Sequence, residues 1–184
     1  MDERKSHRYR NVPRVKLLLG EWACLGVLSQ GHSHGFAVAQ ELKPTGAVGR
    51  VWASPRSLVY RSLDRLQQLE LITPIGEEPG VAGGNRTIFS ITTLGKAKLR
   101  EWLKTPVSHL RDIRSEFLLK LVLCEQCGVS AKTLISRQNT LARRLVDSLT
   151  VQLIDTPHDA VLLWRFESAS AAVRFLKRLP HNTK

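Results

Sequence analysis

Acidic residues are scarce in this chain: 16 Asp and Glu stand against 28 Lys and Arg, a formal net charge of +12 over 184 residues. That imbalance creates a field that attracts polyanions or anionic membrane surfaces, and nucleic acid is the first partner it suggests. Long hydrophobic runs are absent. No apolar stretch approaches the roughly 20 residues needed to span a bilayer, and the opening Met1-Asp-Glu-Arg-Lys5 leads into no secretory-type segment. A soluble, cytoplasmic protein is therefore expected. Cysteine is limited to three, an odd number that fits free thiols in a reducing compartment better than a disulfide framework. Catalytic fingerprints are missing too: the sequence holds no G-x-S-x-G, H-E-x-x-H, P-loop or glycine-rich dinucleotide motif. No enzyme activity, cofactor or metal is expected.

Two weaker patterns have plain explanations. Cys124-Glu-Gln-Cys127 has CxxC spacing, but no second pair or clustered His accompanies it and it falls on an apolar helix, so structural thiols are expected. His32-Ser-His34 sits in a turn without a carboxylate partner and is read as two solvated imidazoles.

With 42% hydrophobic residues, the chain can build one full core, or a domain of roughly 100 residues with a smaller appendage. Residues 1–16 carry six basic residues and no helical period, which reads as a flexible basic arm. Leu17 to Leu28 is apolar on most sides, hence a buried first helix. His34 to Leu42 places Phe36, Val38, Ala39 and Leu42 at near-helical spacing and stops at Lys43-Pro44.

The stretch from Val51 to Leu69 organises the rest. Ser54 before Pro55 is a helix-start signal, placing a helix from about residue 55. At 100° per residue, Arg56, Ser57, Tyr60, Arg61, Asp64, Arg65, Gln67 and Gln68 share one half-circle, while Leu58, Val59, Ser62, Leu63, Leu66 and Leu69 share the other. An ordinary amphipathic surface helix has that pattern. So does a helix laid in the DNA major groove, which needs cations for phosphates and base edges and an apolar back to hold it rigid. The sequence beyond it favours the second reading. Leu71 to Ile75 and Arg86 to Ile91 flank a Gly- and Pro-rich loop, forming a β-hairpin whose Asn85 and Arg86 can reach backbone phosphate. Thr92 then caps a fourth helix that ends at Thr105-Pro106.

Trp52, Ser54, Val59-Tyr60, Leu63, Arg65-Leu66, Leu71-Ile72, the glycine-bearing hairpin, Arg86 and Ile91-Thr-Thr-Leu-Gly95 together resemble the PadR family of bacterial transcriptional regulators. The resemblance covers about residues 17–104, and residues 109–179 look like that family's helical C-terminal part. Glu70 departs from it, standing where the family usually has Gly before the Leu-Ile that opens the wing; Val59 replaces the usual Leu before Tyr.

Beyond residue 105, Leu110, Ile113, Phe117, Leu121 and Cys124 mark one amphipathic helix over 109–125. Leu134, Leu141, Leu145, Leu149 and Leu153 form the stripe of a second. Leu162, Phe166, Ala169, Val173 and Leu176 follow at steps of 4, 3, 4 and 3, a seam that suits pairing with a second copy. The expected fold is mainly α with a small β-hairpin: a flexible arm (1–16), an N-terminal winged helix-turn-helix DNA-binding domain (17–104) and a C-terminal α-helical dimerisation domain (105–184). The expected function is a homodimeric, sequence-specific DNA-binding regulator of repressor type, with double-stranded DNA as partner. Arg56, Ser57, Tyr60, Arg61, Arg65, Asn85 and Arg86 are the expected DNA contacts. The resemblance further implies a small-molecule effector, for which Trp22, Trp52, Trp102 and Trp164 are candidate pocket residues. The alternative is a winged-helix protein-interaction module whose basic face meets an acidic protein.

Overall fold

Seven α-helices and three strands are laid out in a computed structural model that describes residues 16–80 and 84–180. The basic arm expected over residues 1–16 lies, apart from Lys16, outside the described residues.

Helix α1 (Leu19–Leu28) is the centre of the core, with Ala23, Cys24, Leu25, Gly26, Val27 and Leu28 all buried. Its start is fixed by Glu21, whose Oε2 accepts the Leu18 N–H at 2.7 Å. Gly26 is required by packing: a Cβ there would stand 2.5 Å from Leu123 Cδ2. Helix α2 (Gly35–Glu41) starts at His34, whose Nδ1 accepts the Ala37 N–H at 3.0 Å. That side chain satisfies one of the orphan donors of the first turn.

Helix α3 (Arg56–Gln68) begins one residue later than Ser54-Pro55 suggests. Pro55 is the flanking residue, and its carbonyl takes the Leu58 and Val59 N–H groups. Ser54 makes no side-chain cap. Its backbone N–H is bound instead to Leu42 O at 3.0 Å, tying the start of α3 to the end of α2. Val59, Leu63 and Leu66 are buried, three or four residues apart, against α1 and α2. Leu58, placed by the helical wheel on the apolar half, is 45% exposed, because it lies at the edge of the arc that α1 and α2 cover.

The wing strands are β2 (Ile72–Pro79) and β3 (Asn85–Ile91), paired from Ile72↔Ile91 to Pro79↔Asn85 with a bulge between Pro74 and Gly76. They run further toward the tip than the sequence pattern indicates, since the ladder continues through Gly76-Glu-Glu-Pro79. A third strand, β1 (Ser33–His34), pairs antiparallel with β3. The sequence reads that stretch as a turn; two residues carry no period, and only β3 alongside makes them a strand.

Helix α4 (Thr93–Lys104) is capped by Thr92, whose Oγ1 accepts Gly95 N–H at 3.0 Å. The helix expected over 109–125 is divided into a 3₁₀ turn (Leu110–Asp112), a π-helical turn (Ile113–Phe117) and α5 (Leu118–Gln126). Helices α6 (Lys132–Asp155) and α7 (Ala160–Arg178) form an antiparallel hairpin. One continuous core reaches from Leu25 and Leu28 of α1 to Phe117, Leu123 and Leu134, and on to Leu176 of α7. No helix among the described residues is long and apolar enough to cross a membrane.

Candidate nucleic-acid interface

With α3 held by its buried side, Arg56, Ser57, Tyr60 and Arg61 stand exposed on the opposite side. Arg56 is stiffened within its own helix: Nη2 donates to Tyr60 Oη at 3.4 Å, and the guanidinium carbon lies 5.4 Å from the Tyr60 ring centroid. Close approach of that ring to α2 depends on Gly35, where a Cβ would stand 2.9 Å from Tyr60 Cε1.

Arg65 is turned back toward the protein. Its Nε–H meets Glu21 Oε1 at 3.1 Å, linking α3 to α1 through a carboxylate that is only 2% exposed. Glu21 thus uses one oxygen to start α1 and the other to fix α3. The Arg65 side chain remains 46% exposed.

The wing approaches α3 through a group of residues that the sequence pattern does not reveal. Phe36 lies 5.3 Å from the Arg56 guanidinium carbon and 5.3 Å from that of Arg86. Asn85 Nδ2 donates to Glu77 Oε2 at 2.7 Å, so its amide is engaged within the wing. His34 Nε2 lies 3.0 Å from Glu78 Oε1, while its Nδ1 serves α2. With Nδ1 an acceptor, Nε2 carries the proton and donates, so one neutral imidazole joins the start of α2 to β2. Phe36 and His34 show in the sequence only as a core residue and a solvated imidazole. An aromatic at the start of α2 is the one available hint.

Away from this face, Trp22 and Trp102 stack at 4.7 Å with an interplanar angle of 8°. Lys120 Nζ sits 4.7 Å from the Trp102 centroid and is fully buried, donating to Thr105 O and paired with Glu116 Oε1, each at 2.7 Å. Burial pulls its ammonium below the ordinary lysine value, with Glu116 opposing. Glu116 also accepts Trp102 Nε1–H at 3.1 Å, so the cluster joins α4 to α5. Trp52 borders a groove with Leu18 and Leu58, and Trp164 is 73% exposed.

Of the seam on α7, Ala169 and Leu176 are buried within the chain and Leu162, Phe166 and Val173 half-buried. Val151, Ile154, Val161, Leu163 and Trp164 are left facing outward near the α6–α7 turn. All three cysteines are free thiols. Burial pushes Cys24 up to about 12, the Ser62 hydroxyl pulling weakly the other way, and pushes Cys124 up to about 11. Thiols held protonated make poor nucleophiles and poor metal ligands. Among the described residues no group of three His, Cys, Asp or Glu is placed to hold a metal.

Residues 24–101 match the model of the transcriptional regulator PadR-like family. Over that segment the chain is PadR-like. The match runs from Cys24 in α1 through α3 and the wing into α4, so the basic face described above lies inside it. Among solved structures, the chain is similar to Bacillus subtilis PadR in complex with operator DNA, at 20% identity over 85% of this chain and 95% of that one, TM-score 0.45. It is similar to the same protein in complex with p-coumaric acid, at 21% identity over 89% and 95%, TM-score 0.40. A PadR-like transcriptional regulator from Bacillus cereus matches at 20% identity over 86% and 94%, TM-score 0.39. No curated protein matches the sequence. That family is one of transcriptional regulators, and the matched segment here is a winged helix with its wing beside α3.

Proposed function

We propose that this PadR-like protein is a homodimeric, cytoplasmic, DNA-binding repressor whose α3 enters the major groove. The observation that carries the reading is the convergence of Arg56, Tyr60 and Arg61 on the one face of α3 that the core leaves open, with Arg86 of the wing beside it. Arg56, Ser57, Tyr60 and Arg61 are the groove-facing residues. Arg65 spends its Nε–H on Glu21 and keeps its Nη groups for a backbone phosphate. Arg86 and Asn85 serve the phosphate backbone from the wing, Asn85 after exchanging Glu77 for DNA. Dimerisation belongs to α6 and α7: Leu162, Phe166, Ala169, Val173 and Leu176 set the hairpin, and the outward Val161, Leu163 and Trp164 extend its apolar surface. A dimer presents two recognition helices to two half-sites, the usual geometry of helix-turn-helix readers.

Relief by a small molecule completes the proposal. A cleft of about 710 Å³ between the 3₁₀ segment and α7 is lined by Arg111, Arg114, Arg165 and Trp164, a size and chemistry suited to a small aromatic anion.

The decisive experiment is an anisotropy titration of a duplex taken from upstream of the coding sequence. Binding is expected at low salt, with log Kobs falling linearly with log salt, and Arg61→Ala should lower that slope by about one. An unchanged slope removes Arg61 from the phosphate contacts. A folded protein that does not retain the duplex at about 50 mM salt overturns the DNA reading in favour of an acidic protein partner.

A further inference from the structure

We propose that the cleft between α3 and the wing is a preformed site for the phosphate backbone, organised by the Phe36 ring, which holds the guanidinium groups of Arg56 and Arg86 together. This rests on the DNA-binding reading and adds to it a residue that touches neither base nor phosphate yet sets the position of two that do.

The two arginines come from different elements, Arg56 from the first turn of α3 and Arg86 from β3. Each guanidinium carbon lies 5.3 Å from the same ring centroid, so the two cations are at most twice that distance apart. Like charges converge in this way only when something compensates them. Among the described residues, no carboxylate lies within 4.0 Å of either guanidinium. Both wing carboxylates are engaged elsewhere, Glu77 by the Asn85 amide and Glu78 by His34. Asp64 is the one acid lining the cleft, which has a volume of about 640 Å³, and it leaves the two arginines in excess.

The ring contact also leaves the cations able to act. A guanidinium held by a ring makes that contact without a hydrogen bond, so its N–H groups stay available to grip phosphate, apart from the one Nη2–H that Arg56 gives to Tyr60. Phe36 therefore orders both side chains without consuming their donors. Their entropy is lost before DNA arrives rather than on binding. A backbone held by both arms would fix the wing relative to the recognition helix, coupling the two halves of the interface.

The test uses the full chain and two probes, a mixed-sequence duplex and inorganic tripolyphosphate. Phe36→Leu keeps apolar bulk but removes the π face; duplex affinity at about 50 mM salt should fall about tenfold with the salt slope unchanged, because the cations still reach phosphate. Phe36→Trp should restore it. Arg56→Lys combined with Arg86→Lys, at exposed or half-exposed positions where folding is not at stake, should reproduce the loss while keeping the charge. In NMR spectra of the unmodified protein, tripolyphosphate should shift the Nε–H signals of Arg56 and Arg86 together. Undiminished duplex affinity in Phe36→Leu, or tripolyphosphate that leaves both signals unmoved, overturns the site. Tripolyphosphate that moves both signals while no duplex is retained sinks the DNA reading and leaves the phosphate site standing.

Discussion

Replacing Glu70 by Gly should stabilise the protein, and the magnitude follows from the end of α3. Glu70 is the one non-glycine residue with positive φ among the described residues, at 57°. It closes the helix: its N–H donates to Gln67 O and the next N–H, Leu71, to Leu66 O, both at 2.9 Å. This is the double bond pattern that normally places Gly at the left-handed position. A side chain there costs about 1–2 kcal/mol through Cβ against carbonyl oxygen. Gly removes that strain but gives the unfolded chain about 0.4–1 kcal/mol of extra freedom. A carboxylate at a helix C-terminus adds about 0.3 kcal/mol of cost that Gly also removes. The net expectation is a gain of about 0.3–1.9 kcal/mol, or roughly 1–8 °C in Tm for a chain of this size. Nothing opposes it from the side chain, which is exposed, while the Glu70 carbonyl keeps its bond from Thr92 Oγ1 at 2.8 Å. Urea unfolding followed by tryptophan fluorescence measures the shift at constant m-value. Glu70→Gln, which removes the charge and keeps Cβ, is the control and should recover no more than the charge contribution. If Glu70→Gly leaves the midpoint unchanged or lowers it, or if the glutamine variant gains as much, the backbone-strain argument is refuted.

Truncating the bedding of α3 should act in the opposite direction. Leu63→Ala empties a side chain that is 1% exposed, and should cost about 2–5 kcal/mol in urea unfolding; a loss below about 1 kcal/mol would mean the site collapses freely. High pH should destabilise the fold through Cys24. Its folded thiol ionises only near 12 against an ordinary 9.0, so the unfolded chain loses its proton first and stability falls as pH rises from 9 toward 12. The contribution is fully present below 9 and amounts to about 4 kcal/mol at most, as an order of magnitude. Lys120 acts oppositely, because its lowered value means that the unfolded chain holds the proton longer and stability rises with pH below 10.5. The informative quantity is therefore the slope of unprotected stability against pH in Cys24→Ala minus that in the original chain: equal slopes above pH 9 would refute the assignment.

Much of the site's scaffold is legible in residue order because it depends on local rules. Val59, Leu63 and Leu66 fall three and four apart, and that spacing alone assigns the buried side of α3. Thr92 before Thr93-Leu-Gly95 gives both a cap and a helix start. Glu70 stands out as the wrong residue for its position, and the structure answers with a left-handed residue and an otherwise ordinary helix end. The stretch expected as one helix over 109–125 is less legible. Ile113 and Phe117 keep a four-residue step whether the backbone winds as an α-helix or widens into a π-turn, so side-chain period cannot distinguish them.

What the sequence determined by itself was therefore the main helices and the hairpin, their order, and which side of each helix is apolar, since periodicity and caps act within a few residues of chain. Tertiary structure decided which side chains meet across that order. Ser33–His34 is a strand because β3 runs beside it. Arg65, one of eight residues alike on the polar half of the helical wheel, is bound to Glu21, 44 positions earlier, because α1 crosses α3 at that height. Phe36 holds Arg56 and Arg86 together although they lie 20 and 50 residues away from it. Hydrophobic period is set by helix geometry alone, but a salt bridge or a cation over a ring needs two particular side chains within a few ångströms, and only the packed fold brings them there.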